Sequence, residues 1–329
     1  MEKKTAFITG VTGFVGSHVA RAFIKEGHHV RGLARATSDR SRVDDLDIEW
    51  FVGDLDAHET LREACHDVDW VIHIAGRIKA PSLETYRHAN VVGTVNLLRA
   101  VQDAAPDVER FVYVSSLAAG GPARDGTART ELDPDAPLTP YGISKREGEL
   151  AAMSFADRFP VCALRPPAVY GPGDTEVFQF FKTVRWHIKP RFGGRSMRSS
   201  IVHVGDLTDA IMLATTMPGA VGESFYIAED RAYSLEEMEE MIQKALGTWA
   251  VNVRFPKPVL MGIATVAEWA GSIGGFTPRL NRHKAQDFLQ NDWTCSVEKA
   301  KRQLGYQPRI PFDRGVKQTV EWYRAMDWL

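Results

Sequence analysis

The chain is short of cysteine, of charge of one sign and of long apolar runs, and each shortage excludes something. Three cysteines, Cys65, Cys162 and Cys295, occur in 329 residues. They are scattered and lack metal-ligand spacing, so no metal site is expected. Packing in a reducing compartment is the plain reading of all three, with a disulfide or a catalytic thiol as the rarer one. Acidic and basic residues nearly cancel, leaving a formal net charge of −2. That balance makes no electrostatic case for nucleic acid or for an anionic membrane as partner. No stretch of the sequence reaches the roughly 18 uninterrupted apolar residues that a membrane-spanning helix needs. The N-terminus runs straight into a strand-like segment with no secretory apolar region before it, so the cytoplasm is the expected compartment. Internal repeats and low-complexity tracts are missing too. What is left, 44% hydrophobic and 25% charged residues, is ordinary globular composition, long enough to bury a real core.

What is present is a rhythm. Short apolar runs at Thr5–Thr9, His29–Leu33, Glu49–Val52, Trp70–Ile74, Phe111–Ser115 and Val161–Arg165 read as strands. Amphipathic stretches such as Phe14–Glu26, Glu59–Cys65 and Thr85–Ala104 separate them and read as helices. Strands alternating with helices imply right-handed βαβ units. The predicted fold class is therefore α/β, a Rossmann-type doubly wound parallel sheet with helices on both faces. Ligands of such sheets sit beyond the carboxyl ends of the strands. After about Ala168 the rhythm changes. Residues 1–168 form the expected dinucleotide-binding domain, with 200–217 rejoining it as a strand and helix. Residues 169–199 and 218–329 form a smaller C-terminal substrate lobe, with helices over Glu236–Leu246, Val259–Ile273 and Arg314–Met326. The apolar Val259–Ile273 stretch reads as a buried lobe helix or, alternatively, as a substrate lid or membrane-touching surface.

The first strand ends in Thr9, Gly10, Val11, Thr12, Gly13, Phe14, Val15 and Gly16, and a helix follows. Glycine at Gly10 and Gly13 permits a tight turn and close approach of backbone to a pyrophosphate; Gly16 permits close helix–strand packing. The helix N-terminus would present N–H groups and a positive dipole end to the phosphates, alongside Thr12, Phe14 and Val15. The spacing is G-x-x-G-x-x-G rather than the commoner G-x-G-x-x-G. Further along, Asp54 and Leu55 follow strand three. Asp54 either accepts from an adenine amino group or caps a helix. Ala75 and Gly76 follow strand four, where small residues let a dinucleotide lie against backbone. Asn90 is a poor helix former inside a helical pattern, so it either serves the site or merely breaks the helix.

Thr139, Pro140 and Tyr141 read as a capped helix start with proline in the first turn. Tyr141 and Lys145 are spaced i, i+4 and share one helix face. A cationic ammonium beside a phenol is expected to lower the tyrosine pKa from about 10 toward neutrality. Tyr141 would then serve as general acid and base for a hydroxyl/carbonyl pair. The pair Ser115–Ser116, one βα unit upstream, supplies a hydroxyl to hold the substrate oxygen.

Taken together, these features resemble the extended short-chain dehydrogenase/reductase family, over essentially the whole chain. The matching segments include Thr9–Gly16, Gly53–Leu55, His88–Leu98, Tyr113–Ser116, Tyr141–Lys145, Leu164–Gly173 and, near the C-terminus, Leu304–Pro308. The resemblance implies that serine, tyrosine and lysine catalyse hydride exchange with a nicotinamide, and that the lysine also bonds the nicotinamide ribose. Carried over by position, the serine is Ser116, with Ser115 as fallback and cofactor neighbour. Residues Pro166 to Val169 would line the nicotinamide through their backbone. Within the family the sequence is similar to dihydroflavonol reductases and 3β-hydroxysteroid dehydrogenases, through Arg35-Ala36-Thr37-Ser38 and the small Ala118–Gly120 loop. It departs from the sugar-epimerase pattern at Pro167, where asparagine is common, and at Ser199, where arginine is usual.

The leading expectation is an NAD(P)-dependent oxidoreductase acting on an alcohol or ketone carbon of an apolar small molecule. A nucleotide-sugar epimerase or dehydratase is the alternative, although Leu117 stands where a dehydratase would want an acid. A non-catalytic dinucleotide sensor is the third. A homodimer through a helix pair is a family-based option. NADP is the expected cofactor, with NAD as the alternative. The end of strand two reads Leu33-Ala34-Arg35, with no carboxylate for the adenosine ribose. Arg35 can instead meet a 2′-phosphate, helped by Arg40 and Arg42, or else stack on the adenine.

Overall fold

A computed structural model describes residues 2–124, 126–192, 197–255 and 292–329. The Val259–Ile273 stretch lies outside the described residues. Seven parallel strands build the central sheet: β1 (Thr5–Thr9), β2 (His29–Ala34), β3 (Ile48–Val52), β4 (Trp70–His73), β5 (Arg110–Val114), β6 (Val161–Arg165) and β11 (Ser224–Tyr226). Their spatial order is β11-β6-β5-β4-β1-β2-β3, the doubly wound order in which direction reverses between β1 and β4. The expected α/β Rossmann-type fold is what the chain adopts, and the β1/β4 crevice is where such folds bind dinucleotides.

The strand alternation explains the two layers. Phe7, Val71 and Phe111 point to one face, where α2 (His58–Cys65) and α4 (Gly93–Ala104) bury Leu61, Leu97 and Val101 on them. Ile8, Ile72 and Val112 point to the other, under Val19 and Phe23 of α1 (Phe14–Lys25) and Leu207 and Ile211 of α8 (Val204–Thr216). The central strands β1, β4, β5 and β6 are covered on both faces, which is why they read as apolar runs rather than alternating ones.

Three features depart from the pattern expected from the sequence. Thr85–Ala104 is not one helix. It divides into α3 (Leu83–Arg87), a π-helical turn (His88–Val92) and α4. Residues 200–217 return to the sheet layer by α8, while their strand β10 (Ile201–His203) pairs with β7 (Ala168–Tyr170) outside the main sheet. Residues 218–329 do not all belong to the second lobe. Strand β11 extends the main sheet along β6, and α10 (Glu298–Leu304) packs beside it, with Ala300 and Leu304 in the sheet core. The physical reason is that β6 would otherwise be an open edge, and three residues of β11 cover it. The remaining lobe centres on α7 (Phe178–Arg185), α9 (Leu235–Leu246) and α11 (Phe312–Ala325), with Tyr170, Phe181, Ile242, Phe312, Val316 and Tyr323 in its core.

Candidate active site

Every candidate residue of the first 170 lies at or just beyond the carboxyl end of a sheet strand or on α6 (Pro140–Met153) and the π-helical turn. The glycine loop leaves β1 with Gly10 at φ +73°. A Cβ on Gly10 would stand 2.8 Å from the Ala75 nitrogen, and one on Gly16 would stand 2.1 Å from the Gly10 carbonyl oxygen. Neither position admits a side chain. The Gly13 N–H closes the turn on the Gly10 carbonyl at 3.0 Å. Gly13 then caps α1 without a side chain, so the first-turn N–H groups of Phe14, Val15 and Gly16 open onto a bare backbone cradle beside half-buried Thr12. That is the donor geometry a pyrophosphate requires.

Around the cradle, Arg35 is exposed at the end of β2, and its N–H is held by the Ser38 hydroxyl at 3.1 Å. Arg40 lies over the Trp50 ring instead of the cradle, at 4.2 Å. Arg42 reaches the other way, so that a Cβ on Gly173 would meet its Nη1 at 2.6 Å and the Phe14 ring at 3.8 Å. Asp54 is exposed, and its carboxylate accepts from the Asp56 N–H at 3.0 Å. The cap of α2 is Ala57, so the helix-capping reading of Asp54 falls. The Leu55 carbonyl is held by Asn96 Nδ2 at 2.9 Å, a support the sequence reading missed.

Asn90 sits in the π-helical turn, 1% exposed. Its Oδ1 accepts from the Arg77 N–H at 2.7 Å, and its Nδ2 donates to the Arg77 carbonyl and to Ser144 Oγ at 3.0 and 2.9 Å. The side chain thus ties the Ala75–Gly76 loop to the helix that carries Tyr141. Its contacts are a structural tie beside the candidate site, and the π turn is where the chain accommodates it.

Thr139 accepts from the Gly142 N–H, with Pro140 in the first turn of α6, as the sequence implies. Lys145 Nζ donates to the Val114 carbonyl at 2.8 Å and lies 4.3 Å over the Tyr113 ring. Burial pushes Lys145 down to about 7, opposed by the charge of Glu149. Tyr141 is not lowered, contrary to expectation. Burial raises its hydroxyl, a hydrogen bond with the Ser116 hydroxyl pulls the other way, and Lys145 makes no resolved contribution. Burial thus holds the phenol above its ordinary value, and Ser116 is the hydroxyl that pairs with it. Ser115 faces away: its hydroxyl donates to Glu149 at 2.6 Å. That contact removes it as the catalytic serine and takes its side chain from the cofactor. The Pro166 carbonyl accepts from the Leu117 N–H at 2.7 Å, and Val169 is paired with Val202 in the β7–β10 ladder. Both brace the segment assigned to the nicotinamide.

A doubly wound sheet with a glycine cradle at its switch point, and serine, tyrosine and lysine at the neighbouring strand end, defines a dinucleotide-dependent oxidoreductase. The chain belongs to the NAD-dependent epimerase/dehydratase family, whose model matches residues 6–228. It is similar to a ceramide reductase of Caulobacter vibrioides, 32% identical and covering 98% of this chain and 95% of that one. It is also similar to a 3 beta-hydroxysteroid dehydrogenase/Delta 5-->4-isomerase of Mycobacterium tuberculosis, 28% identical over 97% of this chain and 90% of that one. A UDP-glucose 4-epimerase of Vibrio cholerae is 29% identical, covering 97% and 95%. The crystal structure of gox2253 superimposes with a TM-score of 0.82 at 30% identity, covering 98% of this chain and 99% of that one. The protein is an NAD(P)-dependent oxidoreductase of the extended short-chain dehydrogenase/reductase type. A bound dinucleotide would supply the hydride, and Ser116, Tyr141 and Lys145 are the side chains placed to orient the reacting groups beside it. Among the described residues no helix is long and apolar enough to cross a membrane.

Proposed function

We propose that this protein interconverts a ketone and a secondary alcohol on an apolar, lipid-like small molecule, with NADP(H) preferred over NAD(H), in the cytoplasm. The observation that carries the reading is the buried Tyr141 phenol paired with the Ser116 hydroxyl on the helix that also carries Lys145. That pair can polarise a carbonyl oxygen and deliver a proton to it as hydride arrives at carbon. The apolar character rests on the site's surroundings. Leu117 next to Ser116 is apolar and buried, so no acid stands where a dehydratase needs one. The Ser199 hydroxyl turns back onto the Ser200 carbonyl at 2.9 Å, and Pro167 has no polar group to offer a sugar. Similarity to enzymes named for ceramide and for 3-beta-hydroxysteroids points the same way. For the cofactor, Ala34 ends β2 buried and without a carboxylate, and exposed Arg35 follows it. A 2′-phosphate there meets a planar cationic fork instead of a repelling acid.

The test is a panel of steroid, sphingoid and long-chain ketones assayed with NADPH and with NADH, on wild type and Arg35→Ala. Turnover of an apolar ketone is expected, with tighter NADPH binding that Arg35→Ala weakens far more than NADH binding. Thermal protection by micromolar UDP- or dTDP-sugar, without turnover of any apolar ketone, would instead establish the epimerase alternative. Equal affinity for the two cofactors in the wild type would remove the NADP preference.

A further inference from the structure

Strand β4 is apolar except for its last residue, His73, which is 1% exposed. Its ring is bonded on both sides. Nδ1 lies 2.7 Å from Thr9 Oγ1 and Nε2 lies 2.9 Å from Thr94 Oγ1. Thr94 spends its single hydroxyl proton on the Asn90 carbonyl at 2.8 Å. Thr94 Oγ1 must therefore accept from His73, which places the ring proton on Nε2. Nδ1 is then a bare acceptor, and Thr9 Oγ1 donates to it while accepting from the Ala75 N–H at 3.2 Å. The direction runs from the Ala75 N–H through Thr9 into Nδ1, and from Nε2–H through Thr94 to the Asn90 carbonyl. From Asn90 the contacts continue through Nδ2 to Ser144 Oγ, which donates to the carbonyl of Tyr141 at 2.8 Å.

We propose that His73, as an Nε2–H imidazole bonded on both sides, is a positioning residue that sets the dinucleotide cradle and the catalytic helix in register. Its two faces bond strand β1, which carries the glycine loop, and the helix that presents Asn90. Strand β4 lies between them, at the switch point of the sheet. The ring is rigid, and its two nitrogens are a fixed distance apart, so it acts as a spacer. A protonated ring would need a second acceptor at Thr9 and leave the Thr9 hydroxyl proton without its partner on Nδ1, and the dry surroundings and then the charge of nearby Lys145 oppose it. Thr9 has a second duty, since it holds the Ala75 N–H of the loop that leaves no room for a Cβ on Gly10. Loss of the Thr9 hydroxyl leaves both the Ala75 donor and Nδ1 without partners in a buried site, a costly defect.

Nitrogen-15 NMR of the histidine-labelled wild type, with and without NADPH, reads the tautomer directly. The expected spectrum shows one ring with a protonated Nε2 and bare Nδ1, unchanged from pH 5 to 9. Thr9→Val, an isosteric change, is expected to weaken binding of NADPH and NADH alike, about tenfold, while Thr9→Ser restores it. Thr94→Val is expected to leave cofactor affinity near wild type and to lower turnover on a ketone of the panel above, because it loosens the Asn90 side. Protonation on Nδ1, titration of this ring within that range, or Thr9→Val binding as tightly as wild type would each overturn the proposal. Both the spectrum and the binding titrations are independent of the substrate's identity.

Discussion

Burial moves Tyr141 and Lys145 in opposite directions, and the consequence is a division of labour. With its phenol raised and its neighbouring amine brought down to about 7, Tyr141 begins a reduction already holding the proton it must give. Tyr141→Phe removes that proton and little else, since the hydroxyl forms no part of a helix cap or core. Turnover is expected to fall about 10²–10⁴-fold, with the dissociation constant for NADPH nearly unchanged by fluorescence titration. Retention of wild-type turnover would reject the assignment. Ser116→Ala should reduce turnover as well, whereas Ser115→Ala should act through its contact to Glu149. The two serines are adjacent in sequence, and nothing in the sequence orders them. The strand's alternation decides it, sending the Ser115 hydroxyl toward α6 and β6 and leaving Ser116 for the substrate.

At the scale of elements, legibility tracked how much of an element's identity lies in its own residues. Of the six strands from Thr5 to Arg165, β1, β4, β5 and β6 came through because each is a short apolar run buried on both faces, and the edge-ward β2 and β3 through their shorter apolar stretches. The capped start of α6 came through because Thr139 and Pro140 are local signals. The three-residue β11 did not, since Ser224–Tyr226 becomes a strand only by pairing with β6. The π turn was hidden because its cause, the Asn90 contacts to Arg77 and Ser144, is made with residues 13 and 54 positions away. A lone histidine ending an apolar strand, His73, was a visible signal that went unread. His203 offers an element-level test. It caps α8 by accepting from the Gly205 N–H at 3.0 Å, and burial pushes it down to about 4. The unfolded chain therefore binds an extra proton between pH 6.5 and 4, and stability falls as pH falls through that window. The share from this ring is on the order of 3 kcal/mol at about 1.4 kcal/mol for each unit of displacement. His203→Asn keeps a good capping acceptor and has no titrating ring. Its melting temperature is expected to drop less than the wild type's between pH 7 and 4.5; an identical drop would show that His203 is not the source.

At the scale of the whole molecule, an ionic cluster joins the pieces that arrive from distant parts of the chain. Glu149 of α6, 1% exposed, takes two hydrogen bonds on Oε1 and one on Oε2 from the Arg165 guanidinium of β6, at 2.7 to 3.1 Å. Arg165 also pairs with Asp135 at 2.8 Å, and Ser224 of β11 reaches Glu149 at 3.3 Å. A third hydrogen-bond partner of Glu149 is Ser115, next to Ser116. One carboxylate thus binds the catalytic helix, two strands and the end of a third. The guanidinium holds its pKa below the ordinary carboxylate value against the cost of burial. Its stabilising share is therefore complete above about pH 4.5 and is lost as pH falls through the lowered value. Removing one member of such a pair strands the other in a dry site. Glu149→Ala is expected to cost about 3–5 kcal/mol in denaturant unfolding at pH 7. The double variant Glu149→Leu with Arg165→Met replaces both charges by apolar volume and should recover much of that loss. Turnover should not recover with it, because neither leucine nor methionine can hold the Ser115 hydroxyl. A double variant as unstable as Glu149→Ala would mean that packing around α6, and not the unpaired charge, is what the carboxylate supports.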